Sequence, residues 1–178
     1  MTTEVERARR FLALRRFALV GVSRDPADFS RRVLAALEAS GLEVIPVNPA
    51  AGALEGRRCF ARLADVTPPV EGALVMLPAA QAEAVTREAI AAGLRRLWFH
   101  RGTGPGAASP AALALCAEAG VEAVSGLCPF MVLPEAGRFH RVHAWFRRLG
   151  LARKEARAGR AGRQSASHHP GPSRGERA

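Results

Sequence analysis

Apolar positions along the chain follow two alternating rhythms. Short, nearly continuous apolar runs occupy residues 17–22 (FALVGV), 43–47 (EVIPV), 72–77 (GALVML) and 96–100 (RLWFH). Runs of this length, bounded by turn residues, predict strands buried on both faces, as in a parallel sheet. Between them the apolar residues recur every three or four positions, the helical period. Residues 3–14 predict an opening helix on the sheet edge, with Thr3 and Glu6 at capping-box spacing and Val5, Ala8 and Leu12 on one face. Residues 30–40 present Val33, Leu34 and Leu37 together, and Gly41 follows as a C′ residue. Residues 80–92 place Val85, Ala89 and Ala92 inward and end at Gly93. Ser109-Pro110 starts a further helix that groups Leu113, Cys116 and Ala117 and stops at Gly120.

Residues 50–70 are less regular, with a short strand expected at 58–60, a helical turn at 63–66 and a break at Pro68-Pro69. Residues 122–124 predict a last short strand, 126–137 a loop, and Arg138 onward a final helix. That helix buries Phe139, Val142, Phe146 and Leu149 and carries Arg141, Arg147 and Arg148 outward. Alternating strands and helices at this spacing define an α/β fold class: a single Rossmann-like, doubly wound parallel sheet of about five strands with flanking helices, in flavodoxin-like or Rossmann-like order. Ligands of such sheets bind beyond the carboxyl ends of the strands, a rim that would hold Ser23, Arg24, Asn48, Pro49, Pro78, His100 and Arg101.

Composition divides the chain in two. The formal charge is +10 over 178 residues, but residues 151–178 hold seven basic and two acidic residues. The remaining 19 basic and 14 acidic residues leave 1–150 only mildly basic. We therefore expect a folded domain at 1–150 and a disordered basic tail at 151–178, able to touch polyanions such as nucleic acid weakly and without specificity. The charged start MTTEVERARR shows no signal peptide, and no apolar run approaches a membrane span. These features predict a cytoplasmic protein with no membrane partner. Cys59, Cys116 and Cys128 are odd in number and lack CxxC spacing, which fits free thiols better than disulfides or zinc.

Candidate chemistry concentrates at residues 17–30, FALVGVSRDPADFS. An apolar strand turns through Gly21, Ser23 and Pro26 into a helix starting near Ser30, the arrangement in which α/β proteins hold a phosphate on main-chain amides and the helix dipole. Arg24, Arg31 and Arg32 add positive charge around it. Where the dinucleotide fingerprint reads GxGxxG, this chain keeps only Gly21, and Ser23 brings a hydroxyl that can donate to a phosphate. At the end of the second strand, NAD-binding folds place an acidic residue for the ribose hydroxyls; here Val47-Asn48-Pro49 is neutral. A ligand phosphorylated on its ribose suits that site better, because no carboxylate repels it.

GVSRDP, the helix start at Ser30, VIPVNP at 44–49, GALVMLP, RLWFH and the Cys128-Pro129 loop together resemble the bacterial CoA-binding-domain proteins, which are similar to the nucleotide-binding domain of succinyl-CoA synthetase α subunits. The resemblance covers roughly residues 10–150. It implies a Rossmann-like domain that binds coenzyme A as a ligand. Gly21, Val22, Ser23 and Arg24 would meet phosphates, with Ser30, Arg31 and Arg32 nearby. Pro46, Val47, Asn48 and Pro49 would lie along the adenosine, and Pro78 would border the cleft. His100-Arg101 stands where many relatives carry Gln and a small or apolar residue, and Leu127 where many carry Arg, so the pantetheine side departs more from the pattern.

The synthetases form a phosphohistidine on a second domain, and the sequence around His100, His140, His143, His168 and His169 does not support one here. His140 and His143 lack further metal ligands. His100, at a strand's carboxyl end, suits a ligand contact or a structural role, and Cys128 an ordinary buried thiol, with a mixed disulfide to the ligand's thiol as the sharper reading. The chain thus reads as a non-catalytic binder of CoA or an acyl-CoA: a sensor, carrier or regulatory module, with a possible homodimer face on the final helix. The alternatives are a small NAD(P)-type oxidoreductase and an interaction protein whose basic tail contacts nucleic acid.

Overall fold

The computed structural model describes residues 2–100 and 106–133. Arg101, the helix expected from Arg138 and the basic tail lie outside the described residues. Helix α1 (Glu4–Leu12) opens the chain with the expected capping box: Thr3 Oγ1 accepts from the Glu6 amide at 3.2 Å, and Glu6 Oε2 accepts from the Thr3 amide at 2.7 Å. Then come β1 (Arg16–Val20), α2 (Phe29–Ala39) and β2 (Glu43–Val47), followed by a small hairpin of β3 (Ala53–Leu54) and β4 (Arg57–Arg58). The second half runs β5 (Gly72–Val75), α3 (Ala79–Ala91), β6 (Arg96–Phe99), α4 (Pro110–Glu118) and β7 (Glu122–Val124).

Five strands form one parallel sheet in the order β2-β1-β5-β6-β7. This is the flavodoxin-like member of the two expected orders. The chain steps outward from β1 to β2, then returns past β1 to β5 on its other side. That reversal opens a crevice between the carboxyl ends of β1 and β5, because the two connections leave on opposite faces.

The two faces bury different residues. On one, Ala18, Val20, Ala73, Val75, Leu97 and Phe99 pack with Ala82 and Ala89 of α3 and with Ala112 and Cys116 of α4. Small alanines on both helices let them approach the sheet closely. On the other face Phe11 of α1 meets Phe17 edge-on at 4.8 Å and Trp98 at 5.5 Å. Full burial of Val33, Leu34 and Leu37 sets the inward side of α2. Burying a side chain such as Leu37 stabilises by about 1.5–3 kcal/mol, so these stripes, rather than helix propensity, hold the helices down. Helix α1 also closes the β7 edge: Arg7 donates to Ala123 O at 3.3 Å, Glu4 accepts from the Ser125 amide at 3.0 Å, and Arg10 pairs with Glu122. Side chains thus satisfy backbone groups that an open strand edge would expose.

Three expectations need correction. The strand predicted over 17–22 ends at Val20, and the one over 72–77 ends at Val75. Gly21 has φ +91°, outside extended space, and turns β1 out of the sheet after a last bond from its amide to Val47 O. Helix α2 begins at Phe29 rather than Ser30, because the Asp28 carboxylate caps it by accepting from the Ser30 amide at 2.8 Å. Finally, the hairpin replaces the strand expected at 58–60. Arg57 and Arg58 pair back onto Leu54 and Ala53, and Phe60 alone bridges to Val47 of β2.

Candidate functional site

Strand register builds the site. The last fully paired row across the sheet is Val47, Val20, Val75 and Phe99. One residue further on stand Asn48, Gly21, Met76 and His100, in that order along the rim. Backbone bonds hold this row: Gly21 N to Val47 O at 3.0 Å, Met76 N to Val20 O at 2.9 Å and His100 N to Val75 O at 3.0 Å. With strands about 4.8 Å apart, Asn48 lies about 5 Å to one side of Gly21 and His100 about 10 Å to the other.

Gly21 packs against the neighbouring turn. A Cβ there would stand 2.8 Å from Leu77 Cδ2 and 3.2 Å from the Met76 carbonyl carbon. Only glycine lets the two turns close on each other. Asn48 ties the first turn to the second strand: its Nδ2 donates to Val22 O at 2.7 Å, and its Oδ1 accepts from the Ala50 amide at 2.8 Å. Both ends of the amide are therefore engaged by the protein, and the side chain acts as a brace.

The turn from Ser23 to Ser30 corrects the picture of bare helix-start amides. Ser23 N donates to Ser30 Oγ at 2.9 Å, Asp25 N to Ser23 Oγ at 3.1 Å and Ala27 N to Asp25 Oδ1 at 2.8 Å. Ser30 Oγ in turn donates to Asp28 Oδ1 at 2.5 Å. Four side-chain oxygens in eight residues close the loop on itself, as Ser and Asp do in turns. The Ser23 hydroxyl accepts here and keeps its proton to donate. Positive charge at this turn therefore comes from side chains more than from amides.

The arginines differ sharply. Arg24 is exposed and makes no ion pair among the described residues. Arg32 is exposed, with its guanidinium 5.4 Å from the Phe29 ring centre. Arg31 is buried; it donates to Ser23 O at 3.2 Å and pairs with Glu55, so most of its charge is spent within the fold. Val22, Pro46 and Val47 also face inward. Those three offer a ligand backbone at most, whereas Pro49 and Pro78 are exposed on the rim.

His100 is 8% exposed, its ring 5.4 Å from Phe29, which in turn meets Phe130 at 5.9 Å. Its Nε2 is buried with no hydrogen-bond partner among the described residues. Burial lowers its pKa below the usual histidine value, so the ring is neutral at pH 7. The Trp98 indole N–H, two residues earlier on β6, donates to Leu127 O at 3.1 Å and holds the next loop against this end of the sheet. Cys128 follows in that loop, half-buried, with its thiol pushed up by desolvation and only partly offset by the Phe130 amide. A protonated thiol is a poor nucleophile. Among the described residues no group of three His, Cys, Asp or Glu gathers to hold a metal.

A model of the CoA binding domain matches residues 15–134, two thirds of the chain. This chain belongs to the CoA binding domain family. Its solved neighbours share the fold. It is 34% identical to a conserved hypothetical protein of Pyrococcus furiosus, with TM-score 0.58 over 64% of this chain and 94% of that one. It is 26% identical to a Thermus thermophilus protein, with TM-score 0.64 over 77% and 98%. An acetyl-coenzyme A synthetase of Ca. Korarchaeum cryptofilum shares the fold at 24% identity and TM-score 0.53, and the match spans 25% of that longer chain. The fold brings three residues singled out in the sequence, Gly21, Asn48 and His100, into one row of the rim, with Met76 as its fourth member. Sequence reasoning missed the hairpin beside β2, whose one sequence signal is Glu55-Gly56 flanked by short pairing segments; both residues have positive φ, 51° and 76°.

Proposed function

We propose that this domain binds coenzyme A or an acyl-CoA across the rim, without catalysing a reaction on it, as a sensor, carrier or regulatory module. The observation that carries the reading is the Asn48 brace inside a CoA binding domain. Asn48 fixes the Gly21 turn beside the β1–β5 crevice and leaves no carboxylate at the ribose position. Ser23 and Arg24 would meet the pyrophosphate, Pro49 the adenosine side and Pro78 the cleft wall. His100 would face the pantetheine arm, about two strand spacings from Gly21.

The test is a thermal-shift panel of CoA, acetyl-CoA, NAD, NADP and ATP. A ligand at a hundredfold excess over Kd stabilises by about 2.7 kcal/mol, so CoA or acetyl-CoA should raise Tm by several degrees. A shift with NAD or NADP and none with CoA would overturn the proposal in favour of an oxidoreductase.

A further inference from the structure

One end of the rim holds a side chain whose hydrogen-bonding capacity is unused. His100 closes the row at β6 and is 8% exposed, yet its imidazole makes no hydrogen bond among the described residues. Nε2 is the one buried side-chain polar atom among them without a partner, whereas Nδ1 is not shut off in this way. Leaving a buried N–H without an acceptor is rarer than leaving a lone pair unused, so the ring proton belongs on Nδ1, where a partner from outside the fold can meet it. His100 therefore offers one neutral N–H donor, which suits an uncharged carbonyl better than a phosphate or a carboxylate.

The surroundings of that ring are apolar. Phe29, the first residue of α2, lies 5.4 Å away at a 41° tilt, and Phe130 meets Phe29 edge-on at 5.9 Å. Phe130 belongs to the short turn Pro129–Met131, whose last residue, Met131, is 67% exposed. Val5 on α1 is the only other exposed large apolar side chain among the described residues. An unbranched, polarizable thioether adapts to occupants of varied shape. A neutral donor beside two aromatic rings and an adaptable apolar side chain fits an aliphatic group that carries a carbonyl.

Asn48 and His100 stand at opposite ends of the row, three strand spacings or about 14 Å apart. With the nucleoside at Asn48 and the pyrophosphate at the Gly21 turn, the far end of the ligand falls on the β6 side. Free CoA ends there in a thiol, which has no carbonyl; its thioesters have one. We infer that the domain takes an acyl-CoA in preference to free CoA, with the thioester carbonyl accepting from His100 and a short aliphatic acyl chain lying against Phe29, Phe130 and Met131. This rests on the proposed CoA reading and narrows it to one ligand class.

The experiment is calorimetric titration of the full-length chain with CoA, acetyl-CoA, butyryl-CoA, succinyl-CoA and S-butyl-CoA, a thioether of the same chain length that lacks the carbonyl. The wild type should bind butyryl-CoA more tightly than acetyl-CoA by up to about fourfold per added methylene, and more tightly than S-butyl-CoA by about fivefold. Succinyl-CoA ends in a carboxylate and should lose the gain over acetyl-CoA, because an apolar wall cannot solvate that charge. His100→Ala should abolish the preference for butyryl-CoA over S-butyl-CoA, and His100→Gln, whose amide also donates, should keep part of it. Phe130→Ala should shrink the gain from acetyl-CoA to butyryl-CoA. Each ratio compares two ligands on one protein, so a general loss of stability leaves it in place. The inference is overturned if the wild type binds CoA as tightly as butyryl-CoA, if S-butyl-CoA or succinyl-CoA matches butyryl-CoA, or if His100→Ala keeps the wild-type ratio; binding of CoA itself would then leave the broader reading standing. If the wild type binds none of these ligands, the CoA reading is refuted and the acyl site goes with it.

Discussion

Replacing Gly21 with alanine tests the geometry on which the rim depends. Two separate penalties can be worked from the structure. The backbone at φ +91° disfavours any L side chain, at about 1–3 kcal/mol. The new methyl would also stand 2.8 Å from Leu77 Cδ2 and 3.2 Å from the Met76 carbonyl carbon. Leu77 can move in part but the Met76 backbone cannot, and overpacking of this kind costs about 1–3 kcal/mol. Together we expect Gly21→Ala to destabilise by about 2–5 kcal/mol in urea unfolding. A double-mutant cycle with Leu77→Ala separates the parts: removing Leu77 should recover the steric share, visible as a coupling of about 1–2 kcal/mol, and leave the backbone share in place. A Gly21→Ala protein within about 0.5 kcal/mol of wild type, a range typical of unconstrained surface sites, would refute the reasoning. So would complete recovery by Leu77→Ala, because no conformational penalty would then remain.

Other consequences follow at neighbouring positions. Asn48→Ala removes two hydrogen bonds that join the rim and should destabilise by about 1–3 kcal/mol in urea titrations; an effect within error would mean that the brace is idle. Asn48→Asp should do worse, since it sets a carboxylate against Val22 O. Burial holds the folded-state pKa of His100 below the unfolded value of about 6.5, so the unfolded chain takes up the proton first. Its contribution is complete above about pH 6.5 and is lost as pH falls toward the folded pKa. His100→Gln should flatten the stability–pH profile in this window, and an unchanged slope would show that another group titrates there. The Cys116 thiol is pushed up to about 11 and that of Cys128 is also raised, so both should label slowly with a thiol reagent at neutral pH until the chain unfolds. Incubation with oxidised CoA should leave Cys128 without an adduct by mass spectrometry, and a stoichiometric adduct would overturn that reading of the loop.

The parallel sheet was legible because its strands are buried on both faces and therefore spell continuous apolar runs. Residues 43–47 match β2 to the residue, and Ser109-Pro110 marks the start of α4 as its cap and first turn. Strand ends were less legible. Val22 and Leu77 look like strand residues, yet Gly21 turns the chain before Val22, and β5 ends at Val75. Aspartate as the cap of α2 was readable in principle at Asp28, but Ser30 two residues later competes for the same role and in the fold becomes its hydrogen-bond partner. Pairwise facts were not legible at all. Arg24, Arg31 and Arg32 look alike in sequence, and only the fold reveals that Glu55, from a hairpin 24 residues away, has taken Arg31. The same holds for Asn48, whose neutral amide was read against a ligand but is engaged by Val22 and Ala50. His100 reads as a polar residue at a strand end, and the ring it meets, Phe29, comes from a distant segment of the chain.

The most direct test of the central claim is an amide-resolved NMR titration of the isotope-labelled chain with CoA. We predict saturable shifts at Gly21 to Arg24, at Asn48 and Ala50, at Leu77 and at His100. Shifts confined elsewhere would contradict the account, for example to the cleft of about 660 Å³ that Arg7, Cys116 and Glu122 line at the outer edge of β7. So would an unchanged spectrum at millimolar CoA.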